Sequence, residues 1–177
     1  MSTPDRVYSV LFLCTGNSAR SIMAEGLLNA LGAGRFRAFS AGSQPKGEVH
    51  SLALEQLREA GISTDGLRSK GWDEFAAPGA PEFDFIFTVC DNAAGEACPV
   101  WPGHPITAHW GIEDPAAVEG PRLDKQIAFV DAARFLRNRI SLLCAMRLAH
   151  LDELSMRTQL NNIGKLPGAS LPRSDVA

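Results

Sequence analysis

A four-stranded parallel α/β sheet flanked by helices is predicted by three observations. Strand-like and helix-like patterns alternate along the chain, the first strand is apolar almost without a break, and 177 residues suit one well-cored domain. Near-continuous apolarity marks a strand buried on both faces, the usual condition in a parallel sheet. The expected organisation is a single α/β domain over residues 1–165 followed by a flexible tail over 166–177, where Pro, Gly and Ser accumulate.

Residues 7–13 form the first predicted strand, and residues 21–31 the first helix, with Met23, Leu27, Leu28 and Leu31 at helical spacing and Gly32 as a stop. A second strand is read over 36–41 and a second helix over about 51–60, with Leu54 and Leu57 inward and Gly61 beyond its end. Residues 63–81 are less regular, with a brief helix over 72–76. Aromatic and β-branched residues make 83–90 the clearest later strand. A Gly-, Ala- and Pro-rich loop over 91–105 leads to a short strand over 106–110. From about Leu123 the pattern is helical for some twenty-five residues, with Ile127, Val130, Phe135, Ile140 and Leu143 among its apolar positions. An extra C-terminal helical segment over 151–163 precedes the tail.

The balance of 17 Lys+Arg against 20 Asp+Glu, a net charge of -3, lacks the broad basic footprint that neutralises nucleic-acid phosphates. No apolar run near the N-terminus is long enough to span a bilayer, and residues 1–6 do not resemble a signal-peptide start. A cytoplasmic protein with no nucleic-acid or membrane partner is expected. In that reducing setting the thiols of Cys14, Cys90, Cys98 and Cys144 are more readily catalytic, metal-bound or inert than disulfide-bonded.

Position distinguishes them. Cys14 ends the first strand and is followed by Thr15, Gly16, Asn17, Ser18 and Ala19, then by Arg20 and Ser21 where the helix begins. Five residues between cysteine and arginine are enough to curl successive N–H groups toward one centre, and a following helix N-terminus adds to the pull on a tetrahedral oxyanion. Gly16 and Asn17 tolerate a positive φ, and Arg20 supplies a planar fork for two oxygens. The same field favours a thiolate, so Cys14 is expected to be ionised near neutrality, with Ser21 as donor to its sulfur. Ligand chemistry in such sheets gathers beyond the strands' carboxyl ends, which brings Cys14, Cys90 and Asp114 to one edge.

The run Cys14-Thr15-Gly16-Asn17-Ser18-Ala19-Arg20-Ser21 resembles the phosphate loop of low-molecular-weight protein tyrosine phosphatases and of the arsenate reductases that share their fold. The likeness extends from about Val7 through Pro115, and Met23-Ala24-Glu25-Gly26 is more like the reductases. It implies a low-molecular-weight phosphatase-like fold with Asp114, before Pro115, as general acid. Phosphatases usually follow that pair with aromatic residues, whereas this chain has Ala116-Ala117. The resemblance thus implies arsenate as substrate: Cys14 attacks arsenic, Asp114 protonates the departing oxygen, and a thiol then attacks the Cys14 sulfur to release arsenite.

If that thiol is Cys90, Cys98 could pass the disulfide on. In thioredoxin-linked relatives the two later cysteines are one residue closer together. No tightly bound cofactor or metal is expected, and the external reductant stays open between thioredoxin and glutathione with glutaredoxin. Cys98 is equally open to a passive role. Two other readings stand beside this one: a phosphatase using only Cys14, Arg20 and Asp114, and a non-catalytic metalloid- or oxyanion-binding regulator using Cys14, Cys90 and Cys98 as ligands.

Elsewhere, Cys144 is read as core packing, and His109 as packing or hydrogen-bonding beside Trp110. Cys90, Cys98, His104 and His109 lack the tight spacing of a structural zinc site. Some relatives hold potassium with residues matching Asn17, Glu25 and Ser40, but no acidic partner is identified further on. Lys70, Arg134, Arg137 and Arg139 are open to an anion- or partner-binding role, though a solvated helix face fits the arginines better.

Overall fold

The computed structural model describes residues 6–91, 99 and 101–170. Its four strands are β1 (Tyr8–Cys14), β2 (Phe36–Gly42), β3 (Phe85–Thr88) and β4 (Ile106–His109), in the order β2-β1-β3-β4. All three strand pairs are parallel, as expected for strands separated by crossovers. The helices are α1 (Arg20–Leu31), α2 (Ser51–Glu59), α3 (Asp73–Ala76), α4 (Arg122–Ala145) and α5 (Glu153–Gly164). Among the described residues no helix is long and apolar enough to cross a membrane.

Alternate side chains of β1 explain its unbroken apolarity. Val10 and Phe12 join a core with residues of α1, α2, α4 and α5, while Leu11 and Leu13 join a smaller one with Phe75, Phe83, Ile86 and Trp101. Both faces are therefore covered, and each of these four β1 residues is at most 1% exposed. β3 is shorter than the sequence suggests, because residues 83–84 and 89–90 lie outside the ladder. Register sets Cys14 opposite Gly42 and Thr88 opposite His109, so the carboxyl ends of adjacent strands meet at one edge.

The long helix α4 matches its predicted span, but two of its apolar positions face solvent: Ile127 and Val130 are exposed, and Phe129, Ala132, Leu136, Ile140 and Leu143 form the inner face. In α2 it is Leu52, Ala53 and Leu57 that are buried, with Leu54 only half-buried. Arg139, expected on a solvated face, is fully buried. Its guanidinium donates to the carbonyls of Phe135, Leu166 and Pro167, so its charge is spent on backbone oxygens instead of water.

Those bonds bear on the chain's end. Residues 166–169, expected to begin a tail, lie against the fold: Ala169 bridges antiparallel to Ile112, and the Ser170 N–H donates to the Gly111 carbonyl. Helix α5 covers β4 closely. Trp110 stacks on Phe87 at 4.0 Å and donates its indole N–H to the Leu160 carbonyl at 2.9 Å. A Cβ on Gly164 would lie 2.2 Å from the His109 carbonyl oxygen, so only glycine permits this approach.

Candidate active site

The loop between β1 and α1 is held from outside by its carbonyls. Those of Cys14, Thr15, Gly16 and Ser18 accept backbone N–H bonds from Ser43, Gln44, Lys46 and His50, all in the β2–α2 connection. With its oxygens turned outward, the loop directs N–H groups inward, and the N–H of Asn17 reaches Cys14 Sγ at 3.2 Å. The left-handed turn falls on Asn17 (φ 43°); Gly16, its predicted neighbour, is not in that region. Gly16 instead makes room, because a Cβ there would press on the Lys46 side chain at 3.2 Å. Gly42 is a second, unforeseen requirement: its Cβ would lie 2.4 Å from the Thr15 carbonyl oxygen.

Asn17 also fixes the direction of a hydrogen-bond chain ending at the sulfur. Its Oδ1 accepts from the Lys70 N–H at 2.9 Å, which only donates, so its Nδ2 faces the hydroxyls of Ser21 at 2.8 Å and Ser40 at 3.0 Å. Ser21 Oγ, which receives that amide proton, lies 2.8 Å from Cys14 Sγ, within hydrogen-bond distance of the sulfur. Ser21 is the hydroxyl that the sequence reading expected beside the sulfur.

Behind this chain is a buried ion pair. Lys70 Nζ lies 3.8 Å from Glu25 Oε1 and 3.5 Å from Ser40 Oγ, and it donates to the Arg68 carbonyl. Burial pushes the Glu25 carboxyl up and the Lys70 ammonium down, each opposed by the attraction of the other. Glu25, Ser40 and Asn17 are the positions that resembled a potassium site. Here a lysine ammonium fills that corner, so these residues do not fit a separate cation. Lys70, read from the sequence as open to an anion- or partner-binding role, is instead the buried partner of Glu25, a contact that its irregular stretch gave no sign of.

Cys14 is 4% exposed. Burial pushes its thiol up, and Cys90 adds to this, against the downward pull of the Ser21 hydroxyl, Arg20 and the Asn17 N–H. The attracting field expected around Cys14 is present, and burial of the sulfur opposes it. Arg20 opens α1, which has no side-chain N-cap, whereas α2 and α5 are capped by His50 and Asp152. Its Nη1 donates to the Ile112 carbonyl at 2.9 Å, and its Nη2 lies 3.6 Å from Asp114 Oδ2. Asp114 in turn accepts from the Ala116 N–H through Oδ1 at 3.0 Å, which aims its other oxygen toward Arg20.

Cys90 is buried just past β3, and its Sγ is 3.6 Å from Thr15 Oγ1 in the Cys14 loop. Cys14, Cys90 and Cys144 are not disulfide-bonded. Cys98 lies outside the described residues. Beside Cys90, His109 lies between Thr88 Oγ1 and Asp91 Oδ1, each at 2.7 Å, fulfilling its hydrogen-bonding reading. Cys144 is half-buried against the core. The residues brought together at one edge are thus Cys14 with its loop, Arg20, Asp114 and Cys90.

A cysteine and an arginine with five residues between them around an inward-facing backbone loop, and an aspartate across from the arginine, have the arrangement that a cysteine-nucleophile oxyanion site requires. Residues 9–149 match the low molecular weight phosphotyrosine protein phosphatase family, and the chain belongs to it. Within that family it groups with arsenate reductases. That of Bacillus licheniformis is 37% identical over 121 residues, which is 68% of this chain and 84% of that protein. The crystal structure of the Archaeoglobus fulgidus arsenate reductase is 30% identical with a TM-score of 0.61, covering 77% of this chain and 99% of that one. The thioredoxin-dependent arsenate reductase of Corynebacterium glutamicum aligns with 85% of this chain and 66% of its own, at 26% identity and a TM-score of 0.58.

Proposed function

We propose that this chain reduces arsenate to arsenite through a covalent Cys14 adduct, as a single catalytic domain that draws electrons from an external thiol. The observation that carries this reading beyond oxyanion binding is Cys90, a second buried thiol whose sulfur lies 3.6 Å from the Thr15 hydroxyl of the nucleophile loop. Phosphoester hydrolysis has no use for it. Reduction requires two electrons, which two thiols supply in becoming a disulfide.

In the first step an arsenate dianion meets the inward N–H groups, the α1 N-terminus and Arg20, which exchanges Asp114 for the anion's oxygens. Any proton on the Cys14 thiol passes to an arsenate oxygen as the charged substrate enters, since burial opposes the thiolate until the anion is in place. The Ser21 hydroxyl and Asn17 N–H then hold the resulting thiolate as sulfur attacks arsenic. The arsenic–oxygen bond opposite breaks, and Asp114, released from Arg20, takes a proton from solvent and passes it to that oxygen, which leaves as water. In the second step the Cys90 sulfur attacks Cys14 Sγ and its proton passes to the departing arsenite oxygen. The sulfur–arsenic bond breaks with its electron pair left on arsenic, arsenite departs, and a Cys14–Cys90 disulfide remains for the external reductant.

Thioredoxin is the preferred reductant in this reading, by likeness to the thioredoxin-dependent neighbour, with glutathione and glutaredoxin as the alternative. Cys98 would move the disulfide outward by attacking Cys90. A phosphatase reading shares the loop, but residues Ala116-Ala117 after Asp114-Pro115 offer no aromatic surface for a phenyl ring. The test is arsenate-dependent NADPH consumption with complete thioredoxin and glutaredoxin systems side by side. Turnover in the first supports the proposal. Steady release of phosphate from aryl phosphates with no arsenate turnover in either system would overturn it.

A further inference from the structure

The most unusual feature near the site is the stretch after α5, residues 165–170, which lies beyond the 9–149 span shared with the family. Arg139 anchors it at one end, through the Leu166 and Pro167 carbonyls. Gly168 passes over Phe135 at φ 92°, where a Cβ would overlap the ring at 2.3 Å. Ala169 then bridges Ile112, the residue whose carbonyl holds Arg20. The Ser170 hydroxyl donates to Asp91 Oδ1 at 2.9 Å, the same oxygen that takes the His109 Nε2 proton. Gly111 lies beneath this junction, and a Cβ on it would come within 2.7 Å of His109 Nε2, Ser170 Oγ and Asp91 Oδ1. One short segment thus touches both neighbours of the chemistry: the residue following Cys90, and the backbone that holds Arg20.

We propose that residues 165–170 are a positioning strap, seating Asp91 so that Cys90 is presented to the Cys14 adduct, and seating Ile112 so that Arg20 faces the oxyanion. The proposal rests on the reductase reading for its Cys90 half, while its Arg20 half requires only oxyanion binding. Ser170 and Asp91 act through Cys90 and not on arsenate. A cysteine that must leave its packing to attack a neighbouring sulfur needs a fixed foot on which to turn, and a carboxylate held by two donors provides it.

The test uses two variants of the full chain and two readouts. Ser170→Ala removes only the hydroxyl bond to Asp91, and Gly168→Val unseats the strap. Oxyanion affinity is measured by calorimetric titration with inorganic phosphate, and the relay by the rate of Cys90 disulfide formation in a single turnover with arsenate. Ser170→Ala is expected to leave phosphate affinity within about twofold and slow disulfide formation roughly fivefold, about the net worth of one ordinary hydrogen bond, because His109 still holds Asp91. Gly168→Val is expected to weaken phosphate binding as well, by about five- to tenfold, because Ile112 is released.

Phosphate affinity and disulfide rate both within twofold of the parent in Gly168→Val, with hydrogen exchange showing the Ser170 N–H unprotected, would overturn the proposal. So would a Ser170→Ala variant losing both properties in the same proportion as its folded fraction. Should Gly168→Val not fold, Ser170→Ala decides by the split between its two readouts. If the parent forms no disulfide with arsenate, the reductase reading fails. The strap then stands or falls on whether Gly168→Val, or the double variant Ser170→Ala with Ala169→Pro if that one does not fold, weakens phosphate binding.

Discussion

Two neighbouring strands each lead to a buried cysteine, yet the residues next to the two cysteines are held in different ways. After β1, carbonyls of the Cys14 loop are tied to the β2–α2 connection, and Asn17 is braced by Lys70, Ser40 and Ser21. After β3, Cys90 is followed by Asp91, whose anchors are two side chains, His109 and Ser170. The contrast matches the two halves of the proposed chemistry. Attack on a tetrahedral anion gains most from a preorganised cradle, whereas a thiol that must cross to another sulfur needs freedom with a fixed base.

The largest effect should come from removing the rigid side's nucleophile. Cys14→Ser is expected to cut arsenate-dependent turnover by roughly 10³-fold or more, while phosphate still binds in a calorimetric titration. Asp114→Asn keeps the cap on the turn after it but cannot donate the proton. Its kcat should fall about 10²-fold with little change in KM, as read from steady-state kinetics.

The brace is tested through stability. Lys70→Met leaves Glu25 buried without its partner and should cost about 3 kcal/mol in urea unfolding. It should also loosen Asn17, seen as faster exchange of the loop's amides. A smaller effect is expected at His50, whose neutral Nδ1 accepts the Leu52 N–H at the start of α2 and whose ring stacks on Phe129. Burial, then Lys46, lowers its basicity below the ordinary 6.5. The neutral form is the folded one, so its contribution is present above pH 6.5 and is lost as pH falls through the lowered folded value. His50→Asn keeps a cap acceptor that does not titrate. Its unfolding free energy should stay within about 1 kcal/mol of the parent at pH 8 and decline less on acidification.

The difference between the two regions also explains what could be read from the sequence. The Cys14 loop was legible because its determinants are local: an apolar run, a cysteine, an asparagine suited to a left-handed turn, an arginine at the helix start. Asp114 was legible for the same reason, as a motif on a turn. The supports were not. Gly42 meets the loop only after the chain has folded back, and Ser40 and Lys70, noted in the sequence for a cation site and an anion site, were not legible as braces of Asn17. Arg139 looked like part of a charged helix face because sequence spacing does not reveal that carbonyls of residues 166 and 167 await it. Loop composition likewise tells of the attracting field on Cys14 and not of the burial that opposes it.

The central claim is that the second thiol comes from the protein itself. In a Cys98→Ser background, one equivalent of arsenate is added without any external thiol, and the products are separated after acid quench. The expected result is one equivalent of arsenite and a Cys14–Cys90 disulfide found by peptide mass spectrometry. Arsenite appearing only after an external thiol is added, with Cys90 still open to alkylation, would contradict it.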